Sequence, residues 1–159
     1  MRINRSKTDM GNRTVKITDN ISLGAFASYI ENSFNLYEAE FETTDTNYAG
    51  LKKSIKKYKV TTDPEEYKKD SDNTALLTFV NGKRGFELLM PTNMGVKSFY
   101  LRYVTTSPAD ESEVRNSAQY LIDNEPQIVW KTWGTTTNTK TEITSKVKTV
   151  KAVGATVTL

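Results

Sequence analysis

The chain contains no cysteine and no histidine among its 159 residues. Without cysteine it has no disulfide and no thiolate nucleophile. Without histidine it has no imidazole base, no Ser-His-Asp or Cys-His arrangement and no histidine metal ligand. Catalysis would have to rest on carboxylates, Lys, Tyr or hard cations, and no such residues converge in the sequence. We therefore expect a protein that is not an enzyme, with no catalytic residues, no metal site and no cofactor.

Long apolar runs are also missing. No stretch of about 18 apolar residues occurs, so the sequence predicts no transmembrane helix. The first residues, MRINRSKTDMGNR, are polar and lack the apolar segment of a signal peptide. We expect no membrane partner, and a location that is intracellular or within a particle. The net charge of +3, from 22 basic and 19 acidic residues, permits a polyanionic partner without requiring one.

The most apolar part of the chain, residues 74–106, is typical of three consecutive β-strands. Residues 75–80 are almost all apolar, as in a strand covered on both faces. Asn81-Gly82 predicts a tight hairpin turn, because both residues tolerate a positive φ. In the third strand, apolar residues alternate with Tyr100 and Arg102. We expect the three strands to pair in chain order as a meander.

Two segments have apolar residues at helical spacing. The first runs from Leu23 to Phe34, with Asp19 or Ser22 as its N-cap. The second begins at Ser107-Pro108, has acidic residues in its first turn and ends before Pro126. We therefore predict an α+β fold: an antiparallel β-sheet, as a sandwich or small barrel, with two main helices packed on it and extended terminal arms.

Residues 51–59, LKKSIKKYK, hold the densest charge of the chain. Their apolar residues at i, i+4 and i+7 predict a short basic amphipathic helix. Its lysines could bind phosphates or an acidic partner, or form an ordinary solvated face. Just before it, Glu38, Glu40 and Glu42 alternate along a predicted strand at 37–43. That row could hold a hard cation, or be the solvated face of an outer strand paired with lysines.

The composition changes at both ends of the chain. Residues 1–12 form a polar N-terminal arm, residues 13–137 a single α+β domain, and residues 138–159 a C-terminal β-hairpin or arm. The last segment is rich in Thr, Lys and Val and strand-like. It could be an edge hairpin of the domain, or add a strand to a neighbouring subunit.

Two functions fit these features. The first is a structural subunit that self-assembles into a homo-oligomer through its terminal arms, such as a component of a virion or phage particle. The alternative is a single-stranded nucleic-acid-binding protein with an OB-like β-barrel, in which lysines hold phosphates and aromatic rings stack on bases. The residues expected to contact a partner or nucleic acid are Lys52, Lys53, Lys56, Lys57, Lys83, Arg84, Tyr100, Arg102, Trp133, Lys146 and Lys148.

Overall fold

The structure, a computed structural model, describes most of the chain. The described residues are 1–4, 7–23, 28–42, 51–106, 113–137, 142–145, 151–153 and 156–158. Of these, residues 22–23, 113–115, 126–137 and everything from 142 onward are described by their backbone alone.

The described residues form β-strands, one short α-helix and a 3-10 turn at Glu31–Ser33. The helix α1 spans Pro64–Lys69 and begins at Asp63, whose carboxylate accepts the N–H of Glu65. The strands are β1 (Arg2–Ile3), β2 (Val15–Leu23), β3 (Asn35–Phe41), β4 (Leu51–Thr61), β5 (Thr74–Val80), β6 (Gly85–Leu89), β7 (Phe99–Val104), β8 (Glu113–Ile122), β9 (Glu125–Thr137), β10 (Glu142–Ser145), β11 (Lys151–Val153) and β12 (Thr156–Thr158).

All of these strands belong to a single 12-stranded sheet. Its order is β10-β9-β8-β2-β6-β5-β4-β3-β7-β12-β11, and β1 pairs with the same edge of β7 as β12. The described pairings are antiparallel except that between β4 and β5, which α1 connects. The β-rich character of the chain is therefore confirmed.

The sheet curls so that strands far apart in its order face each other across one core. The hydroxyl of Tyr103 on β7 donates a hydrogen bond to Asp19 on β2, although four strands lie between them. Phe34 lies between these two sides, with its ring centroid 4.9 Å from that of Phe86 on β6 and 5.3 Å from that of Tyr103. Aromatic side chains thus fill the concave side, where large buried area stabilises the curl.

The prediction of an α+β fold with two main helices is wrong. The first proposed helix is replaced by the end of β2 and a 3-10 turn, and residues 24–27 lie outside the described part. The second is replaced over residues 113–122 by β8, which pairs with both β2 and β9. Along β8, Asn116, Ala118 and Tyr120 are all buried, which is the two-residue period of a strand. No helix in the described ranges reaches the length and apolar character needed to cross a bilayer.

Three smaller predictions also fail. Residues 51–59 form part of strand β4 rather than a basic helix. The third strand of the expected meander, β7, pairs with β3, β12 and β1 and not with β6. The expected N-terminal arm packs into the core, where Met1 and Ile3 are each 1% exposed and Met10 is 4% exposed. The apolar residues of that polar segment are few, but Ile3 on β1 and Met1 just before it are both buried.

Other local predictions are confirmed. Strands β5 and β6 form a hairpin in which Val80 lies opposite Gly85, and Asn81, Gly82 and Lys83 all have positive φ in its turn. Val15 and Ile17 on β2 are both buried, which is the two-residue period of a strand.

Candidate partner and nucleic-acid interface

Among the described residues, one side of β4 has no partner strand over most of its length. Residues 51–58 pair with β3, and residues 59–61 pair with β5. No described strand pairs with the other side of residues 51–58. The backbone N–H of Lys59 donates to the carbonyl of Asn73, 3.2 Å away. Because N–H directions alternate along a strand, the N–H of Lys57 points to the same, unpaired side.

This free edge carries large apolar side chains. Leu51 is 43% exposed and Ile55 is 49% exposed. Ile55 also lies at a shift in register, because Glu38 pairs with Lys56 while the next residue of β3, Ala39, pairs with Ser54. Such a β-bulge bends and twists an edge strand, which is one way in which natural sheets limit unwanted pairing. The free edge thus combines exposed apolar residues with a β-bulge, and the bulge limits which strands can pair with this edge.

Four lysines on β4 give this strand a positive field. Lys52, Lys53, Lys56 and Lys57 are all exposed. The salt bridges among described side chains are Lys16–Glu87, Lys59–Glu66, Lys68–Glu65 and Lys83–Glu31. None of the four exposed lysines therefore forms a salt bridge with a described carboxylate.

The alternating glutamates of β3 face these lysines. In the β3–β4 register, Glu38 lies opposite Lys56 and Glu40 opposite Lys53. The expected pairing with lysines is present, but β3 is not an outer strand, because it lies between β4 and β7. The described residues contain no group of three or more carboxylates placed to hold a metal ion. Glu38 also accepts a hydrogen bond from the hydroxyl of Tyr58, 3.4 Å away. Burial is the main reason why the pKa of Tyr58 rises to about 12, and the charge of Glu38 raises it further.

A row of basic and aromatic residues crosses the outer face of the sheet, which is the face that points away from the core. On β7, Phe99 and Leu101 point into the core, so Tyr100 between them points outward. Tyr100 lies opposite Tyr37 on β3 and opposite Arg2 on β1. Tyr37 in turn lies opposite Lys57 on β4, whose Nζ is 5.9 Å from the centroid of the Tyr37 ring. We call Lys57, Tyr37, Tyr100 and Arg2 the outer row.

The next position along β7 extends this surface. Arg102 is exposed and lies two residues after Tyr100, so its side chain is on the same face, about 7 Å further along the strand. It lies opposite Asn35 on β3. Three of the residues predicted as contacts, Lys57, Tyr100 and Arg102, are thus brought onto one face from two strands distant in sequence.

The other predicted contacts lie elsewhere. Lys83 and Arg84 are in the β5–β6 turn, where Lys83 pairs with Glu31 at 2.9 Å and Arg84 reaches the carbonyl of Ile21 at 3.4 Å. Trp133 is part of β9, but its side chain is outside the described part of the structure. Lys146 and Lys148 also lie outside the described residues.

Sequence reasoning missed Tyr37, Arg2 and the apolar residues of the free edge. One of the two interpretations of the glutamate row placed it on the solvated face of the strand, which would put Tyr37 on the opposite face. The buried neighbour Leu36 shows the opposite assignment: it shares the inner face with Glu38, which lies at its rim. Leu36 was the available signal in the sequence. It is apolar and lies two residues before Glu38, so a buried Leu36 places Glu38 on the inner face and Tyr37 on the outer face.

A buried carboxylate lies inside the core. Asp19 on β2 is 2% exposed, and its Oδ1 has no hydrogen-bond partner among the described residues. Burial raises its pKa to about 6, and the hydrogen bond from Tyr103 acts in the opposite direction. Burial likewise raises the pKa of Tyr103, and the nearby Asp19 charge adds to this rise. Closed off from solvent, Asp19 affects the stability of the fold rather than an accessible site.

Comparisons with known proteins add little to this surface. No family model matches the chain, and no curated protein matches it. Among solved structures, the chain is similar to the collagen-binding domain from a Staphylococcus aureus adhesin, with 17% identity and a TM-score of 0.46. That match covers 99% of this chain and 84% of the adhesin chain. The fold and surface define a β-rich protein with a basic free edge, and its function must be inferred from its own residues.

Proposed function

We propose that this chain is a non-enzymatic structural subunit that assembles with other copies of itself through the free edge of β4. The observation that carries this proposal is the unpaired side of residues 51–58, which bears the exposed Leu51 and Ile55. An unpaired strand presents a row of N–H and C=O groups, and strand addition satisfies them. A component of a virion or phage particle is one setting in which such a subunit would work.

The packing of the N-terminus supports an edge of the sheet, rather than an N-terminal arm, as the joining element. Met1 and Ile3 are buried in the subunit's own core, and β1 pairs with β7. Releasing them to a neighbour would cost about 1.5–3 kcal/mol for each large apolar side chain exposed. The free edge of β4 can accept a strand without removing anything from the core.

The lysines of β4 set the expected salt dependence. When two copies of β4 pair, Lys52, Lys53, Lys56 and Lys57 of one copy approach those of the other. Like charges on paired strands repel, and salt screens this repulsion over about 8 Å at physiological ionic strength. Association should therefore strengthen between low and moderate salt.

The experiment is light scattering of the purified chain, with matched variants at exposed apolar positions. Leu51→Thr with Ile55→Thr removes apolar area from the free edge. Ile30→Thr with Val96→Thr changes residues of similar exposure, 42% and 55%, away from that edge. We expect the wild type and the second variant to associate and the first variant to be monomeric. A wild type that stays monomeric at every salt concentration would refute the proposal.

A second comparison tests strand addition itself. Lys57→Pro removes the N–H that points to the free side, whereas Lys57→Ala removes the same side chain and keeps the N–H. Proline cannot donate to a ladder, but it is tolerated where its position faces solvent. Weaker association of Lys57→Pro than of Lys57→Ala is the expected result. Equal association of the two variants would show that the contact is made by side chains alone.

A further inference from the structure

We infer that the outer face of β4, β3, β7 and β1 binds single-stranded nucleic acid. The site consists of the outer row with Arg102 beside it. This inference goes beyond the proposed assembly, because it uses a face of the sheet rather than the free edge of β4. It does not require the chain to self-associate.

The first argument is the arrangement of rings and charges. Tyr37 and Tyr100 lie side by side in the register, and Lys57 and Arg2 occupy the flanking positions. With adjacent strands about 4.8 Å apart, the outer row spans about 14 Å. Two half-buried rings between cations offer stacking surfaces for bases and counter-charges for the phosphates on either side.

The second argument is the sign of the local charge. The outer row and the adjacent pair of Arg102 with Asn35 contain no acidic residue. Glu38, the glutamate next to Tyr37 on β3, lies opposite the buried Phe99 and accepts a hydrogen bond from Tyr58, so it belongs to the other face. An anionic ligand that follows the outer row and Arg102 would thus meet basic side chains and no carboxylate of these paired positions.

The third argument selects the class of ligand. An acidic polypeptide would satisfy the cations but would leave the two tyrosine rings without planar partners. A duplex covers the faces of its bases by stacking them on one another, so its phosphates alone could be bound. A single strand exposes both phosphates and base faces, and stacking tolerates any sequence because every base has a π-face.

The test is a titration of the protein into a labelled 12-mer of deoxythymidine at low salt, with fluorescence anisotropy as the measure of binding. The protein concentration is kept in a range where the chain has a single oligomeric state. Tyr37→Ala and Tyr100→Ala should each weaken binding about 5- to 150-fold. This range corresponds to the loss of about 1–3 kcal/mol when one base no longer stacks on one ring. Tyr37→Phe and Tyr100→Phe keep the ring and should change binding by less than about 3-fold. If an alanine variant fails to fold, Tyr→Leu at the same position keeps the apolar bulk and still removes the ring.

Salt dependence tests the cations. Affinity should fall as salt rises, and Arg102→Gln should reduce the slope of log affinity against log salt by about 0.7, the value for one phosphate contact on a single strand. Lys68→Gln, which changes a lysine of α1 that pairs with Glu65, is the matched control and should leave the slope unchanged.

Three results would overturn the inference. The first is the absence of binding to the 12-mer at low salt. The second is binding that alanine at Tyr37 and Tyr100 does not weaken, with equal affinity for poly-glutamate, which would make the face a site for acidic proteins. The third is tighter binding of a duplex of the same length. Because none of these variants alters Leu51 or Ile55, the light-scattering result for assembly stands or falls separately.

Discussion

Replacing the buried Asp19 by asparagine should stabilise the protein at neutral pH. Asp19 is 2% exposed, and its pKa of about 6 lies above the ordinary value of 3.8 that it regains on unfolding. Between these two values the folded chain binds more protons than the unfolded chain. The free energy of unfolding therefore falls as pH rises through this window, and the contribution of protonated Asp19 is lost above about pH 6.

The size of the effect follows from the two pKa values. A difference of one pKa unit corresponds to about 1.4 kcal/mol, so the shift from 3.8 to about 6 corresponds to roughly 3 kcal/mol. Asparagine has nearly the same shape, stays neutral at every pH and can still accept the hydrogen bond from the Tyr103 hydroxyl. Asp19→Asn should thus match the wild type near pH 4 and exceed its stability by up to about 3 kcal/mol above pH 7.

The assay is urea unfolding of both proteins at several pH values between 4 and 8. Other carboxylates titrate alike in the two proteins, so they cancel in the difference. Asp9→Asn, at an exposed position, is the control and should shift the free energy of unfolding by less than about 0.5 kcal/mol. A carboxyl titration of Asp19 by NMR gives its pKa directly.

Two outcomes would refute this reasoning. A difference between wild type and Asp19→Asn that does not vary with pH would mean that Asp19 is not buried in its charged form. A measured pKa of Asp19 at or below 4 would mean that hydrogen bonds and neighbouring charges outweigh the effect of burial.

Three further predictions concern stability. Ile3→Ala should lower the free energy of unfolding by about 2–4 kcal/mol in urea, because Ile3 is a core residue, whereas the exposed Lys7→Ala should change it little; equal effects would place β1 outside the core. Tyr103→Phe removes a hydrogen bond to Asp19, so it should destabilise more at pH 7.5 than at pH 4, by about 1–3 kcal/mol, and a cost independent of pH would contradict this. Asn124 has φ of 65° in the turn between β8 and β9, so Asn124→Val should cost about 1–2 kcal/mol in thermal unfolding and Asn124→Gly should cost nothing; the reverse order would argue against the hairpin.

Local signals were sufficient where a few neighbouring residues determine the conformation. Asn81-Gly82 tolerates the positive φ that the β5–β6 turn requires, and the hairpin is present. Asp63 before Pro64 supplies the cap and first residue of α1. The alternation from Phe99 to Val104 separates a buried face from an outer face, as predicted for β7.

Where two periods fit the same residues, the sequence could not decide. In residues 113–122, Val114, Ala118 and Ile122 are spaced for one side of a helix, but the same residues also fall at alternate positions of a strand. β8 pairs with β9 on one side and, over residues 115–122, with β2 on the other, so it is an inner strand of the sheet. The pairing with β2 joins residues as far apart in sequence as Val15 and Ile122. The Asp123-Asn124 turn, with both φ positive, is the local feature that would have favoured the hairpin.

The sequence by itself determined the β5–β6 hairpin, the alternation of β7, the lysine-rich stretch and the lack of thiol and imidazole chemistry. Tertiary structure alone decided that this stretch is a strand with one free edge, because that depends on how far β5 extends beside β4. It also decided that Lys57, Tyr37, Tyr100 and Arg2 share one row. Four strands from distant parts of the chain meet there, and a shift of one residue in any pairing would move a side chain to the other face.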